Sequence, residues 1–570
     1  MLAFLQDAML NDGGWMRLAL SIFFVVALGS ATMLRAEPFA QLRSAYLARN
    51  PAAAALAYAP DAQLVFRYAG TVEEKYRGSK AITGSYDRFF NQIDPASKLD
   101  LNFRIIQSDG LHRRGFYRLR IGKSSTTYGR FDVQLGRDGR FLSDFSSEAT
   151  VADFEEAAAP VMLEANNEEL EPAYYDQMVG RYRLSSTCDV IITRSILRLF
   201  ARNSCTQQWR GLNRISGRHW SAGDRVRSDK QISSYHFARL TNGTIGSVTI
   251  GNGPRLPRRT VYRQIAVEFQ SRDGTSLAGT LYQPDSMRRP LPATVLVHGS
   301  GAQDRNGYAS IMAVIADAMA ANGRAVLVYD KRGVGGSGGD WSRASFATLA
   351  EDAVAGMNYL ATRREIDRSR IGLGGSSQAG WVVAAALGAG AKPADVLLVG
   401  AAGTAMTVAE QNLYNSEVRM RCARLDARDI SLALDQQRAF FAFLANPARA
   451  GELDRLTATA RNRPALNDWI FPDSAAIDRS GGDWFTTLDP GFDPLPLWRR
   501  YRGRMTFLFA EHDDSTPSQL AVARLRGLSA NVRLMTGTQH IGLAADDRCR
   551  ADLEQLIGFS PAFLAELARF

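Results

Sequence analysis

Histidine is scarce in this chain of 570 residues, with 6 in all. No HExxH occurs, and the 4 cysteines form no CxxC pair. Metallohydrolase chemistry and a zinc module are therefore excluded, and no metal is expected. Lysine is nearly as rare. Lys75, Lys80, Lys98, Lys123, Lys230, Lys331 and Lys392 are the only ones, so arginines carry most of the formal charge of +10. They are scattered, and most have acids nearby. The densest patches, Arg113-Arg114 and Arg255 with Arg258-Arg259, are short. A nucleic-acid binder concentrates its charge on one face or tail, so no nucleic-acid partner is expected. Mean hydropathy is −0.18, and long apolar runs are missing except near the N-terminus, which excludes a polytopic membrane protein. Gly333-Val334-Gly335-Gly336-Ser337-Gly338-Gly339 follows a strand pattern but lacks GKS/T, so it is no phosphate loop, and no cofactor is expected. What remains is ordinary globular usage, 46% hydrophobic and 22% charged. At roughly 150 residues per domain, the length suggests about three or four domains.

The one long apolar run, from Leu18 to Leu28, follows Met16-Arg17 and leads to Gly29-Ser30-Ala31 and Leu34-Arg35-Ala36. A short positive start, an apolar core and a small-residue exit read as a signal peptide over 1–36, cut after Ala36, with Met16 an alternative start. The run approaches the ~20 residues of a membrane span, so an uncleaved N-terminal anchor is the alternative. Either way the body of the chain is expected outside the cytoplasm, periplasmic or secreted. The even cysteine count agrees, since exported proteins form disulfides. The favoured pairs are Cys188–Cys205, which flank a strand-rich segment, and Cys422–Cys549.

Residues 37–155 form a first unit. A helical pattern from Phe39 to Leu47 and a second apolar stretch ending at Tyr58-Ala59-Pro60-Asp61-Ala62 precede a strand at Val65–Tyr68. A further helix runs through Phe90, and alternating strands follow at Leu99–Ile106, Gly115–Ile121 and Tyr128–Leu135. Helices followed by a curved antiparallel sheet make an α+β layout. The phrases at 58–62 and at Tyr76-Arg77-Gly78 with Ala81-Ile82 resemble the nuclear-transport-factor-2-like superfamily, which implies a cone-like domain. Some of its members use an Asp/His pair in the cone. No such pair is apparent here, so the unit is read as a binding or assembly module, with a homodimer as the expected pairing. Residues 156–171, rich in Glu and Ala, read as a linker. From 172 to 263 short alternating strands predict a small β-barrel or meander. Val179-Gly180-Arg181-Tyr182 resembles the lipocalin-like β appendix beside some secreted serine hydrolases. His219 and His236 there are read as surface histidines.

From 264 to 570 apolar strands alternate with helical stretches, the signature of a parallel sheet flanked by helices. Buried strands are expected at Thr294–Val297, Ala325–Tyr329, Ile371–Leu373, Val396–Val399, Thr506–Phe509 and Val532–Leu534. The gap between Val399 and Thr506 is too long for a crossover. Its helix-prone sequence predicts a cap inserted at about 403–500.

Gly375-Ser376-Ser377-Gln378-Ala379 follows a strand and precedes a helix, the context of a nucleophile elbow. Framing G-x-S-x-G on Ser377 leaves only Ala379 out of pattern, so Ser377 is the candidate nucleophile. A serine hydroxyl needs a base and an orienting acid. His540 lies just past the last strand. Asp513, with Asp514 the alternative, lies past the strand before it. The order Ser377, Asp513, His540 is the α/β-hydrolase order. Val297-His298-Gly299-Ser300-Gly301 supplies the other need, since a tetrahedral intermediate requires aimed N–H groups. Ser300 and Gln378 are the candidate oxyanion donors, and His298 is read as structural.

Three phrases carry a resemblance over 265–570: Leu296 to Tyr308, Ala325 to Gly339, and Gly375 to Trp381. Together they resemble secreted serine esterases of the α/β-hydrolase superfamily, near its acyl-CoA-thioesterase-like and prolyl-oligopeptidase-like branches. The resemblance implies a small-molecule ester substrate and an acyl-enzyme route. A thioesterase, a peptidase of the same fold and a non-catalytic binding protein are the alternatives. No propeller repeats precede the domain, which argues against a typical prolyl oligopeptidase.

Overall fold

The computed structural model describes residues 38–148 and 172–570, apart from 69–71, 92, 94–96, 110–111, 123–124, 137–139, 196–197, 217, 226–231, 286–289, 467–468, 478–486, 488, 551–555 and 557. The expected signal peptide, 1–36, and linker, 156–171, lie outside the described residues. No described helix is long and apolar enough to cross a membrane. The chain forms two compact units, Met1–Asn166 and Asn167–Phe570.

The first unit has a six-stranded sheet: β1 Tyr58–Tyr68, β2 Val72–Arg77, β3 Leu99–Asp109, β4 His112–Ile121, β5 Ser125–Leu135 and β6 Phe141–Glu148, in the order β2-β1-β6-β5-β4-β3. Two features differ from the sequence reading. The sheet is mixed, because β1 and β6 run parallel. And β1 starts at Tyr58, so Pro60 sits in a strand. Pairing with β2 begins only at Gln63, and the β1–β6 register shifts between Tyr58 and Gln63, so the missing Pro60 N–H removes no ladder bond. The Pro38–Leu47 helix closes the core, with the Phe39 ring against Phe131 and Phe141 at 5.0 and 5.1 Å.

An aspartate–histidine pair does form in this unit: His112 Nε2 bonds Asp132 Oδ1, and Arg114 Nε donates to Asp132 Oδ2 at 2.7 Å. Side chains alternate across a strand, however, and Phe131 and Val133 face the core, so Asp132 lies on the opposite face. Among the described residues of this unit the buried acid is Asp144. It accepts from Tyr58 Oη at 2.6 Å and Ser146 Oγ at 3.0 Å, and Tyr58 Oη lies 2.8 Å from Tyr86 Oη.

The second unit opens with a closed barrel of β7 Gly180–Arg183, β8 Asp189–Ser195, β9 Arg198–Asn203, β10 Trp209–Ser216, β11 His219–Ala222, β12 Ser233–Arg239, β13 Ile245–Ile250 and β14 Arg255–Arg259. Tyr182, Leu199, Leu212, Trp220 and Val248 fill it. Cys188–Cys205 joins the start of β8 to the β9–β10 turn. His219 and His236 pair across β11 and β12 with rings stacked 3.7 Å apart.

Buried ion pairs fasten the barrel to the C-terminal part of the same unit. Asp317, on the Ile311–Ala321 helix, receives Arg181 at 3.2 Å, Arg202 at 2.7 Å and the Tyr262 hydroxyl at 2.7 Å. Arg194 reaches Asp304 at 2.9 Å, and Thr193 Oγ1 lies 2.9 Å from Ser310 Oγ. Burying these charges is tolerable because each is matched by a partner.

The remaining strands are β15 Tyr262–Gln270, β16 Ser276–Pro284, β17 Leu291–Val297, β18 Ala325–Tyr329, β19 Ile366–Ser376, β20 Asp395–Val399, β21 Arg504–Ala510 and β22 Asn531–Met535. Their order is β15-β16-β18-β17-β19-β20-β21-β22. The pairs β15–β16 and β16–β18 are antiparallel, and the rest are parallel. Every residue of β18 and β20 is buried, as strands covered on both faces must be. This is the α/β-hydrolase architecture the sequence led us to expect.

Between β20 and β21 the Val408–Cys422, Ala427–Ala445 and Ala450–Arg461 helices form the cap. A capping box of Thr407 and Glu410 starts the first, and Asp426 caps the second. The cap has its own small core, with Met420, Leu434, Ala460 and Leu466 buried together. Cys422–Cys549 ties the end of its first helix to the segment beyond His540.

Candidate active site

Ser377 directly follows β19 with φ +55°, a left-handed conformation that a serine adopts only at a cost of about 1–3 kcal/mol. The turn is possible because its neighbours are small. A Cβ at Gly375 would lie 2.2 Å from Val297 O and 2.6 Å from Ala379 Cβ. One at Gly380 would lie 2.8 Å from Gly403, so the tight helix packing that a glycine at 379 usually provides is met one residue later. Ser376, the other serine of the motif, is 3% exposed and paired in register with Val399.

The acid and the imidazole meet. His540 Nδ1 lies 3.0 Å from both Asp513 Oδ1 and Oδ2. Asp513 is 1% exposed and takes further bonds from the Ser515 and Thr516 amides at 2.8 and 2.7 Å. Burial raises its carboxyl above the usual range, while the His540 ring pulls the other way. Burial lowers His540, but the Asp513 charge outweighs it and leaves the ring above its ordinary 6.5. Asp514, the alternative acid, faces Arg419 instead, 3.3 Å away.

Ser377 and His540 converge on the end of β20. The Ser377 amide donates to Val399 O at 3.0 Å. A Cβ on the next residue, Gly400, would lie 2.3 Å from His540 O and 3.1 Å from its Nδ1. Among the described residues no hydrogen bond joins the Ser377 hydroxyl to the ring; such bonds are often loose in unliganded sites.

The Ser300 loop closes the other side. A Cβ on Gly299 would touch Ser377 Cβ at 3.5 Å. Ser300 is exposed, and Gln378 starts the Ala379–Gly388 helix, whose N-terminal amides favour negative charge. His298 is sealed in behind, its Nε2 bonded to Tyr329 O. Burial, helped by the Lys331 charge, pushes it down to about 3, so it stays neutral and structural. The Gly-rich loop turns its amides on its own chain: Gly336 N donates to Asp330 Oδ2 at 2.9 Å and Gly333 N to Gly338 O at 2.7 Å.

Two groups escaped the sequence reading. From the cap, Tyr414 Oη donates to Asp513 O at 3.0 Å and Asn415 Nδ2 to Asp514 O at 3.1 Å. No sequence signal marks them, because the cap's register follows only from its packing. The other is Lys331, whose side chain lies behind the Ser300 loop. Its position directly after a wholly apolar strand and one acid was a signal available in the sequence.

Residues 273–439 match the model of the X-Pro dipeptidyl-peptidase (S15) family. Uncharacterized proteins from two strains of Mycobacterium tuberculosis are 36% identical over 136 residues, which is 24% of this chain. The aligned part spans 44% of those relatives' length, less than half. Among solved structures, the α/β hydrolase GrgF from Penicillium sp. sh18 is 20% identical with a TM-score of 0.32, over 49% of this chain and 91% of GrgF. Est1E from Butyrivibrio proteoclasticus, solved with ferulic acid bound, is 14% identical with a TM-score of 0.33, over 54% of this chain and 97% of Est1E. By its strand order and its matched segment, the region from β15 onward is of the α/β-hydrolase type.

Proposed function

We propose that this protein is a serine hydrolase that cleaves small carboxylic esters through an acyl-enzyme. The observation that carries the reading is the bond from His540 to buried Asp513 at the strand end where Ser377 turns. Ser377 Oγ attacks the acyl carbon and gives its proton to His540 Nε2, while Asp513 holds the Nδ1 proton and steadies the imidazolium. The Ser300 and Gln378 amides take the negative charge on the former carbonyl oxygen. His540 then protonates the departing alcohol, and water, activated by the same ring, releases the acid and frees Ser377.

A fluorophosphonate probe tests this directly. Wild type should label at Ser377 and turn over p-nitrophenyl acyl esters, and Ser377→Ala should do neither. An unlabelled Ser377 in folded wild type would rule out the reading and leave a binding protein.

The S15 match favours a second reading, a dipeptidyl peptidase acting after proline. Such an enzyme needs a carboxylate to hold the substrate's free amine. The acids flanking Asp513 are engaged: Asp514 faces Arg419, and Glu511 accepts from Gly537 N at 2.9 Å. That favours esters. Faster turnover of X-Pro anilides than of acyl esters would reverse the choice, and thioesters belong in the same panel. The two disulfides support export, which N-terminal sequencing of the mature protein checks. We assign the first unit a binding or assembly role of the nuclear-transport-factor-2-like kind, with pairing of copies read by sedimentation.

A further inference from the structure

Lys331 is 3% exposed, and its ammonium has three donors and three partners. Nζ donates to Gly299 O at 2.6 Å, to Gly301 O at 2.7 Å and to Gln378 Oε1 at 3.2 Å. Among the described residues no carboxylate bonds it. A buried lysine whose bonds go chiefly to neutral carbonyls is an expensive arrangement, and its partners are not arbitrary. Two belong to the loop that carries Ser300, and the third is the side chain of Gln378.

The peptide bond explains what this achieves. A trans peptide is planar, and its C=O and N–H point in opposite directions. The Gly299 carbonyl and the Ser300 N–H belong to one such plane. Pulling the carbonyl toward Lys331 turns the Ser300 N–H the other way, and the glycine before it approaches Ser377, since a Cβ on Gly299 would lie 3.5 Å from Ser377 Cβ. An ammonium on the carbonyl also polarises that peptide and strengthens its N–H as a donor. Two more bonds brace the loop: Gln303 Nε2 donates to Ser300 O at 2.8 Å, and Lys331 N to Gln303 O at 3.1 Å.

We infer that Lys331 is the positioning residue of the oxyanion site: its ammonium aims the Ser300 N–H, holds Gln378 beside Ser377, and must stay charged to do so. The inference rests on the hydrolase reading of Ser377, Asp513 and His540. The charged groups around the lysine are few. Asp352 of the Phe346–Thr362 helix favours its charge, but Arg332 holds Asp352 at 2.6 and 2.8 Å. Arg305 and Gly336 hold Asp330, and His298 is neutral. Burial therefore prevails and lowers the lysine to about 7. As pH rises through that value the ammonium loses a proton and the hole loses its brace.

The test is the rate of fluorophosphonate labelling at Ser377, with ester kcat beside it, from pH 5.5 to 9.5. Wild type should show an alkaline decline centred near 7. Lys331→Met should be slower by about 10²-fold, the scale of one lost oxyanion donor. It should show no alkaline decline, and KM should change far less than kcat. Lys331→Arg keeps a charge that does not titrate in this range. It should label faster than Lys331→Met and hold its rate above pH 7, and it carries the test alone if the methionine variant does not fold. A labelling rate in Lys331→Met within about twofold of wild type below pH 6.5, where the lysine is charged, or an alkaline decline that persists in Lys331→Arg, overturns the inference and leaves the hydrolase reading intact. Wild type that never labels removes both.

Discussion

Asp144 in the first unit and Asp513 in the second are both sealed from water, 6% and 1% exposed, and burial raises both above the ordinary carboxyl range. Asp144 reaches about 6. Their partners separate them. Asp144 accepts from two hydroxyls, Tyr58 and Ser146, and burial holds the Tyr58 proton firmly in place. Asp513 accepts from two backbone amides and an imidazole, a ring that can give up and regain its proton and that the Asp513 charge holds above its ordinary 6.5. The first acid therefore braces a core, while the second, on the proposed hydrolase reading, governs a proton that moves. Burial alone does not mark a reactive site; a partner able to exchange a proton does.

The largest effect expected from this contrast is on turnover. Asp513→Asn should lower kcat by about 10⁴-fold, because the ring then loses its orienting acceptor. Asp144→Asn should leave kcat within about twofold in the same ester assay. Equal losses in the two variants would dissolve the distinction.

Asp317 sharpens the contrast, since its charged partners are arginines, which keep their protons, and its third partner is the Tyr262 hydroxyl. Arg202→Met leaves part of a buried carboxylate unpaired, and a broken buried pair costs about 3–5 kcal/mol. Denaturant unfolding should show a loss of that order. A loss below about 1 kcal/mol would mean that the barrel contributes little through this cluster.

Asp144 should also make the first unit's stability depend on pH. Its folded value, about 6, lies above the ordinary 3.8, so the folded form binds more protons between them. Stability should be greatest below about pH 4 and fall as pH rises through 6, by on the order of 3 kcal/mol. Asp144→Asn should flatten that slope and raise stability at pH 8, as read by unfolding of the first unit at several pH values. An unchanged slope would remove Asp144 as its source.

The smallest effect concerns His540. The base must be neutral, and its value is raised, so kcat/KM should fall as pH drops through a point above 6.5. An acid limb well below 6.5 would mean that the Asp513 charge does not reach the ring.

Much of the second unit was legible because its constraints are local. Fully buried strands read as apolar runs, and the elbow needs small residues around one serine. Scarcity helped with the rest: with 6 histidines in the chain, the one past the last strand stood out. The first unit was less legible. Pro60 hid the start of β1, because its tolerance depends on a register shift in a strand far along the chain. His112 and Asp132 are diagonal neighbours on adjacent strands, with Arg114 directly opposite Asp132, and their facing away from the core follows from the pleat.

By itself the sequence pointed to the alternating strands and helices of the second unit, a cap insertion, the favoured cysteine pairs and the candidates Ser377 and His540 with Asp513 or Asp514, because spacing, periodicity and residue chemistry act along the chain. Only the tertiary structure decided which acid meets the ring, that the barrel's arginines are buried against Asp317 and Asp304, and that Lys331 holds the peptide carrying Ser300. Hydrogen bonds and desolvation depend on distances between residues remote in sequence, and those distances exist only once the sheet has folded.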